Sequence, residues 1–152
     1  MNGATNFLKK AGTAAGIICL PLAFIDVVGH PAAVIGPSME PTLHGNDARW
    51  WHNDIVWLSK WYSKPKPGDV FTYISPSDPT ARHIKRIARC SGEPVKLKSG
   101  VKIILAKGEY WMLSDNAEVG HDSRTYGPVN VGLFQAKAKF VLWPPSRFGP
   151  IR

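Results

Sequence analysis

The chain has 152 residues, 44% hydrophobic and 20% charged, which bounds it to one compact domain with room for little else and excludes a disordered or fibrous chain. Its thirteen prolines and fourteen glycines argue for short strands and many turns, against a helical bundle. The net charge of +8 would suit nucleic acid or an anionic membrane face, but the basic residues are spread from Lys9 to Arg152 and no nucleic-acid motif accompanies them, so no nucleic-acid partner is expected.

Residues 11 to 25, AGTAAGIICLPLAFI, carry no charge, and the run reaches Gly29 if Asp26 sits near a headgroup region. A membrane-spanning helix needs about 20 mostly apolar residues. Lys9 and Lys10 precede the run, as on a side that is not translocated. A cleavable signal peptide and a buried core helix fit the same residues. The expected division is an N-terminal tail and transmembrane anchor over residues 1–30 and one β domain over 31–152. Cys19 lies in the apolar run and Cys90 in the soluble part, a poor disulfide pair, and no Cys/His spacing suggests a metal.

Beyond the apolar run, short extended segments alternate with turn signals. DIVWLS (54–59) is followed by KPKPGD, VFTYIS (70–75) by PSDP, and RHIKRIA (82–88) by CSGEP. VKLKSGVKIIL (95–105) reads as a hairpin about Ser99-Gly100, EYWML (109–113) precedes a polar loop, and AKAKFVLW (136–143) alternates until Pro144-Pro145 stops it. Strands at this spacing predict a mainly β domain, a partly closed barrel or sandwich.

Three segments carry chemistry. In GPSMEPTLHGND (36–47), Pro37 and Pro41 bracket Ser38 and hold the backbone extended, so a hydroxyl can be presented from a rigid loop. A serine hydroxyl needs a base, and with five histidines a Ser-His-Asp arrangement has to be weighed. The second segment is Ile-Lys-Arg-Ile (84–87), and the third is SDNAEVGHDSRTYGPV (114–129). Together and in this order they resemble the boxes of type I signal peptidases. Ser38, Met39, Pro41, Thr42 and Leu43 match the nucleophile box, and Lys85 falls on the lysine of the base-bearing box. Asp115, Asn116, Asp122, Ser123, Arg124, Tyr126 and Gly127 match the last box.

The resemblance implies a signal-peptidase-like β domain behind one transmembrane helix, and a serine endopeptidase with Ser38 as nucleophile and Lys85 as general base. It implies no metal or other cofactor. An ordinary lysine is protonated at neutral pH, so Lys85 must be buried or repelled by a neighbouring charge, for which Arg86 is the candidate. On a strand, Lys85 shares a face with His83 and Ile87, while Arg82, Ile84 and Arg86 point the other way. Some relatives use histidine as base, but here lysine holds the motif position and His83 lies two residues before it. Asp122 and Arg124 are expected to pair, as are Asp115 and Arg86, fixing the lysine strand against the nucleophile loop.

The chain departs from the family pattern at three places. Gly36 stands where many relatives carry an oxyanion-binding serine, leaving backbone N–H groups, that of Ser38 first, for that role. Gly120 replaces a serine that helps orient the lysine, for which Ser123 is one substitute, and Ser114 replaces the first glycine of G-D-N. A non-catalytic, membrane-tethered subunit is the alternative these departures leave open.

The compact chain is similar to the mitochondrial inner-membrane branch of the family. VLWPPSRFG and SPSDPTARHIKRI resemble its second subunit more than its first, whereas D-S-R resembles the first. That branch implies a single-pass inner-membrane protein with its catalytic domain in the intermembrane space. It also implies a heterodimer with a sister subunit, contact with inner-membrane lipid, and presequence-bearing proteins as substrates.

Overall fold

The structure is a computed structural model and describes residues 24–97 and 99–152. Among the described residues there are ten strands: β1 (Gly29–Ala33), β2 (Ile55–Ser59), β3 (Val70–Ile74), β4 (Arg82–Arg89), β5 (Pro94–Lys96), β6 (Lys102–Ile104), β7 (Glu109–Leu113), β8 (Val129–Asn130), β9 (Phe134–Trp143) and β10 (Gly149–Pro150). One short helix, α1 (Ser123–Tyr126), lies between β7 and β8. The main sheet runs β1-β2-β9-β3-β4-β7-β8 with β10 beside β9, and β5 and β6 form a separate two-stranded hairpin. The fold is therefore mainly β, with strands where alternation and turn residues placed them.

Four elements were not anticipated: the two-residue strands β8 and β10, and β1 and α1. β1 contains Gly29, His30 and Pro31, residues that read as a breaker. It forms nevertheless because it is an edge strand, pairing with β2 alone, where a missing N–H on proline is tolerated. Gly29 is required there: a Cβ would stand 2.1 Å from the Leu58 carbonyl oxygen, at a φ of 144°. α1 was hidden in a polar loop. Asp122 caps it, its carboxylate accepting the Arg124 N–H.

β3 separates two cores by simple alternation. Val70 joins Met39, Leu43, Val56, Ala136 and Ala138 in the first. Phe71 and Tyr73 join Ile87, Tyr110, Met112 and Val129 in the second. A smaller third cluster, Val95, Leu105 and Trp111, seats the β5–β6 hairpin.

Residues 24–27 are helical and run into β1. Phe24, Ile25 and Val27 are exposed, and the Phe24 ring lies 6.5 Å from that of Trp57. Among the described residues no helix is long and apolar enough to cross a membrane. The expected anchor falls largely, and Cys19 wholly, outside the described residues.

Candidate active site

The segment bearing Ser38 is a loop stapled at both ends. Met39 and Leu43 are wholly buried in the first core, on either side of the exposed turn. Burying two such side chains contributes about 1.5–3 kcal/mol each, which holds the loop to the sheet. Gly36 N–H donates to the Gly45 carbonyl at 2.7 Å and closes the loop. Gly36 adopts a φ of 91°, a conformation that a serine would occupy only with strain. The glycine in place of the family's serine thus follows from the backbone. A second strap comes from the loop after β7: Asn116 N–H donates to the Ser38 carbonyl at 3.0 Å, and its side-chain amide to the Pro37 carbonyl at 3.3 Å.

β4 brings Lys85 to this loop. Lys85 Nζ and Ser38 Oγ are joined by a hydrogen bond of 2.7 Å, across 47 residues of sequence. Lys85 is only 3% exposed, directly opposite the fully buried Phe71 of β3. Burial pushes its ammonium down to about 8, while the carboxylates of Asp122 and Asp115 pull in the other direction. Repulsion from Arg86, expected from the sequence, is not what lowers it. The Arg86 charge is met by Asp115, whose Oδ1 and Oδ2 accept from Nε at 2.9 Å and Nη2 at 2.7 Å. Arg86 also donates to the Gly68 carbonyl at 2.8 Å and to Thr42 Oγ1 at 3.3 Å, tying β4 to the turn after Ser38.

Asp122 is fully buried. Its carboxylate accepts from Ser114 N–H at 2.9 Å and from Arg124 Nε at 2.9 Å, besides capping α1. Burial would raise its pKa; the Arg124 guanidinium and the N–H groups of Ser114 and Arg124 outweigh that and hold it below the ordinary carboxylate value. Ser123, the proposed stand-in for the absent lysine-orienting serine, is engaged elsewhere: its buried hydroxyl accepts the Met112 N–H at 2.9 Å.

His83 shares the face of Lys85 but belongs to an aromatic group. Its ring stacks on Tyr126 at 6.2 Å and lies 6.0 Å from that of His121. The Tyr126 hydroxyl is hydrogen-bonded to that of Tyr73. Burial, then the charges of Lys85 and His121, push the His83 imidazole down. Among the described residues it is the amine, not an imidazole, that meets Ser38 Oγ.

A groove of about 560 Å³ is walled by Ala32, Val34, Val56, Leu58, His83 and Ile84; neither Ser38 nor Lys85 lines it, but Ile84 directly precedes Lys85. The groove lies between edge strand β1 and β4, so it adjoins both the loop entering Ser38 and the strand carrying Lys85. Asn116, matched by the last box, makes the strap to the Ser38 loop. Arg147 was not singled out from the sequence; it reaches from beyond β9 to donate to the Thr42 carbonyl at 2.8 Å.

The sequence profile described as signal peptidase, peptidase S26, matches residues 5–105 and 98–143. The chain is 33% identical over 158 residues to mitochondrial ATP-independent inner membrane protease subunit 1b of Arabidopsis thaliana, covering 99% of this chain and 92% of that protein. It is 34% identical to mitochondrial inner membrane protease subunit 2 of Mus musculus, over 86% of this chain and 78% of the relative. To subunit 1 of the same organism it is 32% identical, over 88% and 81%. Both subunit names thus recur at similar identity. With the match spanning nearly the whole chain, the protein belongs to the signal peptidase family, peptidase S26.

Proposed function

We propose that the chain is a membrane-bound serine endopeptidase that removes sorting or signal peptides with Ser38 and Lys85. The observation that carries this is the 2.7 Å contact between Ser38 Oγ and a buried amine whose charge is disfavoured. In the neutral form Lys85 offers a lone pair to the Ser38 hydroxyl. As Oγ attacks the scissile carbonyl carbon, the proton passes to Nζ. The oxyanion is stabilised by backbone N–H groups, that of Ser38 foremost, since Gly36 brings no hydroxyl. Lys85 then gives the proton to the leaving amine, whose C–N bond breaks, and an acyl-Ser38 ester remains. A water that loses its proton to Lys85 attacks the ester and releases the second product.

The substrate lies extended along the groove beside β1 and β4, and the resemblance to signal peptidases implies small side chains near the scissile bond. The names of the relatives support the mitochondrial inner membrane as the site. On this reading the residues before β1 are the anchor, the β domain begins at Gly29 and not at residue 31, and it faces the intermembrane space. The word subunit in those names supports assembly with a further subunit, and the resemblance to the family implies presequence-bearing substrates.

Ser38→Ala and Lys85→Met, each produced at wild-type level as the full chain with its sister subunit, test the reading on a presequence-bearing precursor. Both are expected to abolish processing. Processing retained by Ser38→Ala but lost on removing the chain would make this a non-catalytic tethered partner.

A further inference from the structure

Ser114 is the one residue beside the amine whose chemistry is left over. It is buried, and its hydroxyl has no hydrogen-bond partner among the described residues. A buried hydroxyl without a partner is costly, and its persistence calls for a reason. Its location supplies one. β4 and β7 pair with Arg86 opposite Leu113 and Ile87 opposite Met112. One step further, the same register sets Lys85 opposite Ser114, on one face of the sheet, where directly opposed residues have neighbouring Cβ atoms. Lys85 thus pairs with Phe71 on one side, and the continued register sets Ser114 on the other, although its hydroxyl makes no hydrogen bond to the amine in the structure. The Asp122 carboxylate holds the Ser114 N–H at 2.9 Å and fixes the backbone there.

Gly120 shows that the hydroxyl fills a place that only one side chain can occupy. A Cβ built on Gly120 would stand 2.1 Å from Ser114 Oγ and 2.2 Å from Ser114 Cβ. A side chain at 114 and one at 120 are thus mutually exclusive. The serine–glycine pair here and the reverse pair are two ways of filling one space.

We propose that Ser114 is a positioning residue for Lys85: its hydroxyl oxygen accepts an N–H of the amine and aims the nitrogen lone pair at Ser38. The inference rests on the Ser38/Lys85 reading. A neutral amine has two N–H groups and one lone pair, and only the lone pair can take the Ser38 proton. An acceptor opposite Ser38 selects the rotamer that presents it. After transfer, the same oxygen accepts from the ammonium. Asp115 and Asp122, the carboxylates that act on Lys85, are each engaged by an arginine, and His83 flanks it on β4. None of these replaces a fixed acceptor across the strand pair.

The test is a four-membered set in the full chain with its sister subunit: Ser114→Ala, Ser114→Gly, Gly120→Ser, and Ser114→Gly with Gly120→Ser, assayed for precursor cleavage against pH. Ser114→Ala and Ser114→Gly are expected to lower kcat by roughly 10- to 100-fold with KM unchanged, the range for mispositioning a proton-transfer group. Their acidic limb should move to lower pH, because the lost acceptor favoured the charged amine. The double variant should regain most of the rate. Gly120→Ser alone should be the least stable of the set. Wild-type kcat and pH profile in Ser114→Ala, with Lys85→Met inactive beside it, would overturn the role of Ser114 and leave the dyad standing. An active Lys85→Met would instead remove the dyad. Loss of kcat in Ser114→Gly without recovery in the folded double variant would assign Ser114 to packing and likewise overturn the inference.

Discussion

Arg147 Nε and Nη2 close on the fully buried carboxylate of Asp54 at 2.9 and 3.0 Å, joining residues 93 apart in sequence. Asp54 also accepts the His44 N–H at 2.8 Å, and Arg147 donates to the Thr42 carbonyl. The pair therefore clamps the chain after β9 onto the back of the nucleophile loop. Arg147→Ala would leave Asp54 buried with its guanidinium gone. Removing one partner of a buried pair costs about 3–5 kcal/mol, and the partial exposure of Arg147, 29%, brings the expected loss to about 2 kcal/mol. Chemical denaturation reads this directly. Arg147→Lys should recover only part of it, because a compact ammonium lacks the planar fork by which Nε and Nη2 reach both Asp54 oxygens and the Thr42 carbonyl.

The protonation of Lys85 predicts a pH profile. With the ammonium at about 8, kcat/KM should fall about tenfold per pH unit below that value, where the amine is charged and cannot accept the Ser38 proton. Asp115→Asn removes a carboxylate that favours the charged form and frees the Arg86 guanidinium nearby. Both changes act in one direction, so the acidic limb should move to lower pH even if the maximum rate drops. A limb that moves up in Asp115→Asn would contradict this account of the electrostatics.

The same burial has a cost in stability. The folded-state value of Lys85 lies below the ordinary 10.5, so between about 8 and 10.5 the unfolded chain holds a proton that the folded one lacks. Stability attributable to this group should therefore rise with pH across that window and be lowest below it. Lys85→Met keeps the volume and deletes the buried charge. It is expected to be inactive yet more stable than wild type at pH 7, by on the order of 2 kcal/mol. The difference should shrink as pH is raised through 8 to 10, which paired denaturation curves would show.

The strands and the serine–lysine pairing were legible because both have local signatures. VFTYIS and RHIKRIA alternate, so the face of Lys85 could be assigned, and the burial of Lys85 and Ile87 agrees with it. The salt bridges of Arg86 with Asp115 and of Arg124 with Asp122 were expected from the boxes, as was burial of Lys85. The ring of Phe71 opposite Lys85 was not, because it depends on strand register. Gly36, a departure when read as letters, is explained by its φ, which a sequence does not display. Ser114 and Gly120 were each legible as a substitution but not as one exchange, since their contact arises only when the loop after β7 folds back on itself. Asn116 was matched by the last box, but its hold on the Ser38 and Pro37 carbonyls was not visible there; Arg147 was missed because its partner, Asp54, lies 93 residues away in sequence.

Asp122 ties the end of β7 to α1 through Ser114 and Arg124, so its removal should do more than delete an ion pair. Asp122→Asn retains the shape and can still cap α1 through its side-chain oxygen, but it exchanges an acceptor toward Arg124 or Ser114 for a donor. Asp122→Ala leaves the Ser114 N–H and the start of α1 without their acceptor. A loss of about 3 kcal/mol is expected for the alanine variant, from the buried network together with the cap, and about half that for asparagine. The sign with pH also follows. The folded-state carboxyl lies below its ordinary value, so its stabilisation is complete above about pH 4 and is lost as pH falls through the folded-state value. Wild type should therefore lose stability more steeply than Asp122→Asn on acidification below that point. Because Asp122 also raises the Lys85 pKa, the asparagine variant that still cleaves should show its acidic limb at lower pH. A variant with reduced stability but an unmoved limb would mean that the carboxylate supports the loop and does not act on the amine.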